Sequence, residues 1–208
     1  MKAKFLALAL LASLAACDDK TSPVTGASAP APAPTTAIAP VAEPEPQPQE
    51  AVLPRLVYPD LASAIDGIKP QMTDTTNEVD EGAIWLALWS REHLNWTDLQ
   101  ALKPSKASLV MKDADTQRGL RLCPTGYIGE ITADDSLGTP KVFTGGLIDN
   151  SGQIYRFIAV KSTGEIVKGS TAKFCGIVTG RLMFSNSVGG TTHAVSLVGM
   201  FDLPENRK

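Results

Sequence analysis

Apolar and polar positions change rhythm three times along the 208 residues. Phe5 to Leu14 is an almost continuous apolar run behind Lys2 and Lys4, and small residues lead from it to Cys17. A basic start, an apolar middle and small residues at the end have the form of a signal peptide, here residues 1–16. The run is too short to cross a hydrocarbon layer of about 30 Å as a permanent helix. From Asp18 to about Val57 no period survives. Ten of the 15 prolines fall between Pro23 and Pro59, many alternating with alanine or glutamate. Such alternation favours extended polyproline II and offers little to bury, so residues 17–57 read as a semi-rigid spacer.

A helical period begins after Pro59. Leu61, Ile65 and Ile68 form an i, i+4, i+7 stripe between Asp60 and Pro70, which predicts a short helix. Asp80-Glu81 opens a second, with Ile84, Trp85, Leu88 and Trp89 on one face and Arg91 and His93 near its end. Acids first and bases last suit the helix dipole. Thr97-Asp98-Leu99-Gln100 has the form of a capping box with Thr97 as its cap. Trp85, Trp89 and Trp96 are expected to pack against a following sheet rather than stack on a ligand. From Leu109 the period shortens to that of strands: Leu120, Leu122, Tyr127, Ile128 and Ile131 give one or two around a bend at Pro124-Thr125-Gly126, and further strands are placed at 142–148, 154–160, 174–184 and 194–201. Asp149-Asn150-Ser151-Gly152 lies between the strands at 142–148 and 154–160 and marks a hairpin. Gly176, Gly180 and Gly199 mark bulges or coiled strands. Residues 162–173 have room for one short helix or a loop. The expected fold class is α+β or mainly β, with a helical segment at 58–106 packed on a β-rich domain at 107–208.

Five strands with glycine kinks and a short connection after the third have the pattern of a small closed barrel. Gly119-Leu120-Arg121-Leu122-Cys123-Pro124-Thr125-Gly126-Tyr127-Ile128 and Gly176-Ile177-Val178-Thr179-Gly180 resemble the openings of OB-type strands, as in small OB-like domains of some bacterial lipoproteins. The resemblance covers roughly residues 107 to 202 and implies a five- or six-stranded antiparallel OB-like barrel. A small sandwich or a split α+β sheet is the alternative. Leu14-Ala15-Ala16-Cys17 in turn resembles the lipobox of bacterial lipoproteins. That implies a lipidated Cys17 at the head of the mature chain, whose acyl chains, palmitate among them, hold it to a membrane at about 0.8 kcal/mol per buried methylene. The implied location is the bacterial cell envelope, with the domain facing the periplasm. Asp18 resembles the inner-membrane retention signal of enteric bacteria, and the inner and outer membranes both stay open.

Loss of residues 1–16 removes two of the 19 Lys+Arg and leaves 17 against 22 Asp+Glu, a formal charge of −5. No nucleic-acid partner is expected of so acidic a chain. Cys123 and Cys175, in predicted strands of an exported domain, read as a disulfide. The alternative is a free Cys175 nucleophile. Thr192-His193-Ala194-Val195-Ser196-Leu197-Val198-Gly199 resembles the histidine strand of papain-like cysteine proteases, which would make Cys175 and His193 the pair of a cell-envelope hydrolase. Phe174-Cys175-Gly176 has no helix-opening signature, and no orienting Asn-Ser-Trp follows. Ser170-Thr171-Ala172-Lys173 has the Ser-x-x-Lys form of penicillin-recognising enzymes, but their further motifs have no room downstream. Gly189-Gly190-Thr191-Thr192-His193 lacks the lysine and spacing of a phosphate loop. His93, His193 and scattered acids such as Asp134-Asp135 compose no metal site, and neither a cofactor nor a catalytic residue is assigned. The expected function is a non-catalytic binding or envelope-assembly module whose partner is an envelope protein or the cell wall. Its expected binding surface is Tyr127, Tyr155, Arg156 and the loop from Asn186 to His193. The hydrolase using Cys175 and His193 is the alternative.

Overall fold

A computed structural model describes residues 57–186 and 189–208. Residues 1–16, read above as a signal peptide, Cys17 with its expected lipid and most of the expected spacer lie outside the described residues. The helices are α1 (Leu61–Ile68), α2 (Glu81–His93), α3 (Trp96–Ala101) and α4 (Ala107–Lys112), with a two-residue strand β1 (Thr75–Thr76) between the first two. Then come β2 (Arg121–Leu122), β3 (Thr125–Asp134), β4 (Val142–Asp149), β5 (Ile154–Ala159), β6 (Thr171–Ser185) and β7 (Thr191–Phe201). The fold is thus β-rich with a few short helices, within the α+β or mainly β class.

The first helix follows its stripe; the second forms where expected, but of its expected apolar face only Trp89 is buried, while Ile84, Trp85 and Leu88 are half-buried. Asp60 caps α1 by accepting from the Ser63 N–H at 2.8 Å, and Leu61, Ala64, Ile65 and Ile68 are buried. Asp80 caps α2 through the Ala83 N–H, and Ala83, Leu86, Ala87 and Trp89 form the inward face. Trp85 and Trp96 pack partly buried against the same core. The expected cap of α3 is corrected. Asn95, not Thr97, accepts from the Asp98 N–H at 2.9 Å and donates to its carboxylate at 2.6 Å. This pair does what Thr97 and Gln100 were expected to do, two residues earlier, and leaves Gln100 to accept from Arg121. The strand period expected from Leu109 is also corrected. Ala107, Val110 and Met111, with Ala114 beyond them, recur at helical spacing, and burial of that stripe selects helix α4.

The five long strands pair in a circuit that returns to its start. β3 pairs with β4, β4 with β5, and β6 with both β7 and β3, all antiparallel; β5 and β7 run parallel. Residues 150–153 form the expected turn, and the predicted bulge at Gly180 occurs as a register shift between Val178 and Gly180. No bulge lies at Gly176 or Gly199, which face each other because a side chain on Gly199 would meet the Cys175 carbonyl. Residues 162–170 form turns without a helix.

Two cores result, one on each side of this ring. Ile128, Leu147, Phe157, Phe174, Val178 and Leu197 meet from all five strands, so theirs is the inside. Phe157, Phe174 and Phe201 stack there with centroids 5.0 to 5.3 Å apart. Val110 of α4 and Ala114 join them. Ile158, Ile177, Val198 and Met200 alternate with those positions and point outward into a second core with α1, α2 and α3. No described helix is long and apolar enough to cross a membrane.

Candidate functional site: the uncovered face of the ring

Helices α2 and α3, with α1 packed on α2, cover the outer side of β5, β6 and β7, whereas α4 closes the inner core. Beyond Val142, which joins the helix core, the outer side of β3 and β4 carries no helix among the described residues. Register sets the side chains of this face in rows. Tyr127, Ile148 and Ile154 lie side by side across β3, β4 and β5, and the next row is Glu130, Gly146, Arg156 and Ser196 of β7. Tyr127 is 49% and Ile148 39% exposed, an aromatic and an aliphatic side chain in one exposed pair. Arg156 donates to Glu130 at 3.1 Å across the bare backbone of Gly146. A side chain on Gly146 would press on that guanidinium at 3.4 Å. The ion pair is exposed and contributes at most about 1 kcal/mol to stability, so its use is more in orienting two charged groups than in holding the fold.

Beside Arg156 the segment carrying Thr75, Glu78 and Val79 overhangs the face and leaves a cleft over Ile158, Leu182 and Ser196. Its volume of 20 Å³ holds about one water. The overhang is fixed at both ends by carboxylates. Asp74 accepts from the Arg181 N–H at 2.9 Å, from its Nε at 2.6 Å and from Arg118 at 2.9 Å. Burial raises its carboxyl, but these two guanidiniums outweigh burial and hold it below the usual range. Asp80 is supported by N–H groups and the Thr179 hydroxyl with no guanidinium beside them, and burial outweighs them and pushes its carboxyl up to about 6.

Larger open clefts of 280 to 400 Å³ follow α1 past Asp66, Lys69 and Lys103 to Arg118. Arg118 is engaged by Asp74, Asp115 and the Thr179 carbonyl, so the strongest cation of that cleft already has its acceptors.

Of the expected binding residues, the structure brings Tyr127 and Arg156 onto one face. Tyr155 is only 3% exposed and points into the ring, where its hydroxyl donates to Asp149 at 2.7 Å. Burial and that carboxylate push the phenol well above its usual range. Tyr155 therefore offers a ligand no surface. It sits one residue before Arg156 on a strand, and neighbours on a strand face opposite ways. His193 is exposed at the start of β7, beside Met183. Its neighbour Ala194, not His193, shares the outward side with Ile154 and Ser196.

Cys123 and Cys175 form a disulfide with an S–S distance of 2.10 Å. Cys175 pairs in register with Met200 and His193 with Met183, some seven residue steps apart, or about 25 Å along the strand. A thiol–imidazole couple between Cys175 and His193 does not form in this geometry. Among the described residues no His, Cys, Asp and Glu group could hold a metal ion. Glu130, Ile148 and Ile154 were missed from sequence. The alternation of the hairpin around Asp149–Gly152 was the signal that could have paired Ile148 with Ile154.

No protein-family model, no curated protein and no solved structure matches the chain.

Proposed function

We propose that this chain is a lipid-anchored binding or assembly module of the bacterial cell envelope, a small OB-like barrel held off its membrane on a proline-rich spacer. The observation that carries the binding reading is the uncovered face, where Tyr127 and Ile148 stand exposed beside the Glu130–Arg156 pair. An exposed aromatic next to oriented charged groups has the composition of a recognition surface. The OB-like reading is supported by strand order. Counting the five ring strands from β3 as one to five, the circuit runs 1-2-3-5-4-1, with three and five parallel. The anchor and the periplasmic address are supported by Leu14-Ala15-Ala16-Cys17 and the apolar run before it. The proposed partner is an envelope protein or the cell wall.

Two measurements on the full-length chain test this. Radioactive palmitate fed to expressing cells should label the protein and fail to label Cys17→Ser; label on both forms overturns the anchor. A photo-crosslinking residue at Tyr127 should trap one envelope component, and Arg156→Ala should weaken the trapping. Equal trapping from a surface position under the helices overturns the face.

A further inference from the structure

One strand of the ring keeps a free edge. β3 pairs with β4 from Gly126 to Asp134, but with β6 only at Thr125, Gly126 and Tyr127. The ladder on that second side runs one residue further. The Ile128 N–H donates to the Ser170 carbonyl at 2.8 Å, and the Gly169 N–H to the Ile128 carbonyl at 2.9 Å. Gly169 then turns the chain away with φ +97°, a conformation that suits glycine. Among the described residues nothing pairs with this edge of β3 from Gly129 to Asp134.

A bulge at Gly129 resets which groups face the free side. The Glu130 carbonyl lies against Gly145 of β4, so Glu130 bonds inward to β4. In an antiparallel ladder the next residues alternate, which turns the N–H and C=O of Ile131 and Ala133 outward. These repeat at about 6.8 Å, the spacing of an extended chain. Of the usual blocks to pairing the edge has the bulge at Gly129 and two carboxylates, but no proline and no lysine between Gly129 and Asp134.

We propose that residues 129–134 of β3 form a strand-addition site that takes an extended polypeptide segment of a partner, one with alternating apolar and basic side chains. The inference rests on the binding-module reading and names the kind of partner. Only an extended polypeptide presents donors and acceptors at the repeat of this edge. The alternation follows from the two faces of β3. On the inner side Ile131 is half-buried against the ring interior, as is Ile166, and an apolar residue docked there covers it. On the outer side Glu130, paired with Arg156, and Asp134 flank Thr132, with Asp135 paired to Lys141 next in sequence, and a basic residue complements Asp134. Among the described residues the carboxylate of Asp134 accepts only from Ser136.

The test uses the full-length chain in detergent micelles and a fluorescent heptapeptide alternating lysine and valine, beside the same peptide N-methylated at every residue. The plain peptide should bind and slow amide exchange at Ile131 and Ala133 about tenfold or more, while the methylated one should not bind. Ala133→Pro removes an outward N–H at an edge position that tolerates proline, and should weaken binding about tenfold with an unchanged melting curve. The proposal is overturned by equal binding of both peptides, by no binding, by protection located elsewhere, or by Ile131 and Ala133 amides already protected before peptide is added. Loss of binding in Tyr127→Ala but not in Ala133→Pro keeps the face and removes the edge. If Ala133→Pro does not fold, the two peptides decide alone.

Discussion

Ile177 and Ile148 both point outward from the ring, yet Ile177 is fully buried under the helices and Ile148 is 39% exposed. The covered side, on β5, β6 and β7, meets the helices through close-packed aliphatic residues. The uncovered side, on β3 and β4, has tyrosine, threonine, glycine and a paired charge in the equivalent positions. The same strand geometry thus holds the fold on one side and displays side chains on the other. What separates the two sides is where the N-terminal helices come to rest.

The largest expected effect lies at the seam between the two sides. β3 meets β6 at only three register pairs, and the disulfide continues the same ladder, since Leu122 pairs with Gly176 and Thr125 with Lys173. Replacing both Cys123 and Cys175 by alanine should cost about 4 kcal/mol on the chain-entropy argument for this loop. Denaturant midpoints would show it, and a cost near zero would mean that the three pairs suffice. Next comes the contrast itself. Ile177→Ala should cost about 3 kcal/mol and Ile148→Ala less than about 1 kcal/mol. Similar costs would remove the distinction between the sides.

A smaller effect of opposite sign belongs to Asp80. Its folded carboxyl stands at about 6 against an ordinary 3.8. Being raised, it binds its proton more tightly folded than unfolded. Its contribution to stability is therefore complete below pH 3.8 and is lost as pH rises through 6. Asp80→Asn keeps an N-cap acceptor without the charge and should stabilise the protein at pH 7 by about 1 to 3 kcal/mol. Urea midpoints of both forms at pH 4 and pH 7 should converge at the lower pH. The smallest effect is expected at Tyr127→Ala, within about 0.5 kcal/mol in stability. Any loss of partner trapping in that variant then reports recognition and not folding.

Much of the domain was legible in local pattern. The stripe of α1, the opening of α2 and the hairpin at Asp149–Gly152 each depend on residues within one or two turns of chain. The disulfide was legible from the cysteine count and from reading residues 1–16 as an export signal. Thr97 and Leu109 were assigned from local strings; Asn95 makes the cap with Asp98 by an equally local pair that the string left unread, whereas burial of Ala107, Val110 and Met111 selected the helix at Ala107–Lys112. The candidate site was half legible. Tyr127 and Arg156 are on the face, but Tyr155 beside Arg156 points inward, because a string of residue types does not state strand parity.

The sequence by itself determined that helices precede strands, where the main hairpin turns and which two cysteines join, because each follows from short-range periodicity or from counting. Only the tertiary structure decided which side of the ring the helices cover, and only it turned Tyr155 into the core while leaving the edge of β3 unpaired. Those outcomes depend on register, on a bulge at Gly129 and on a turn at Gly169, and each is set by how segments far apart in sequence compete for the same surface.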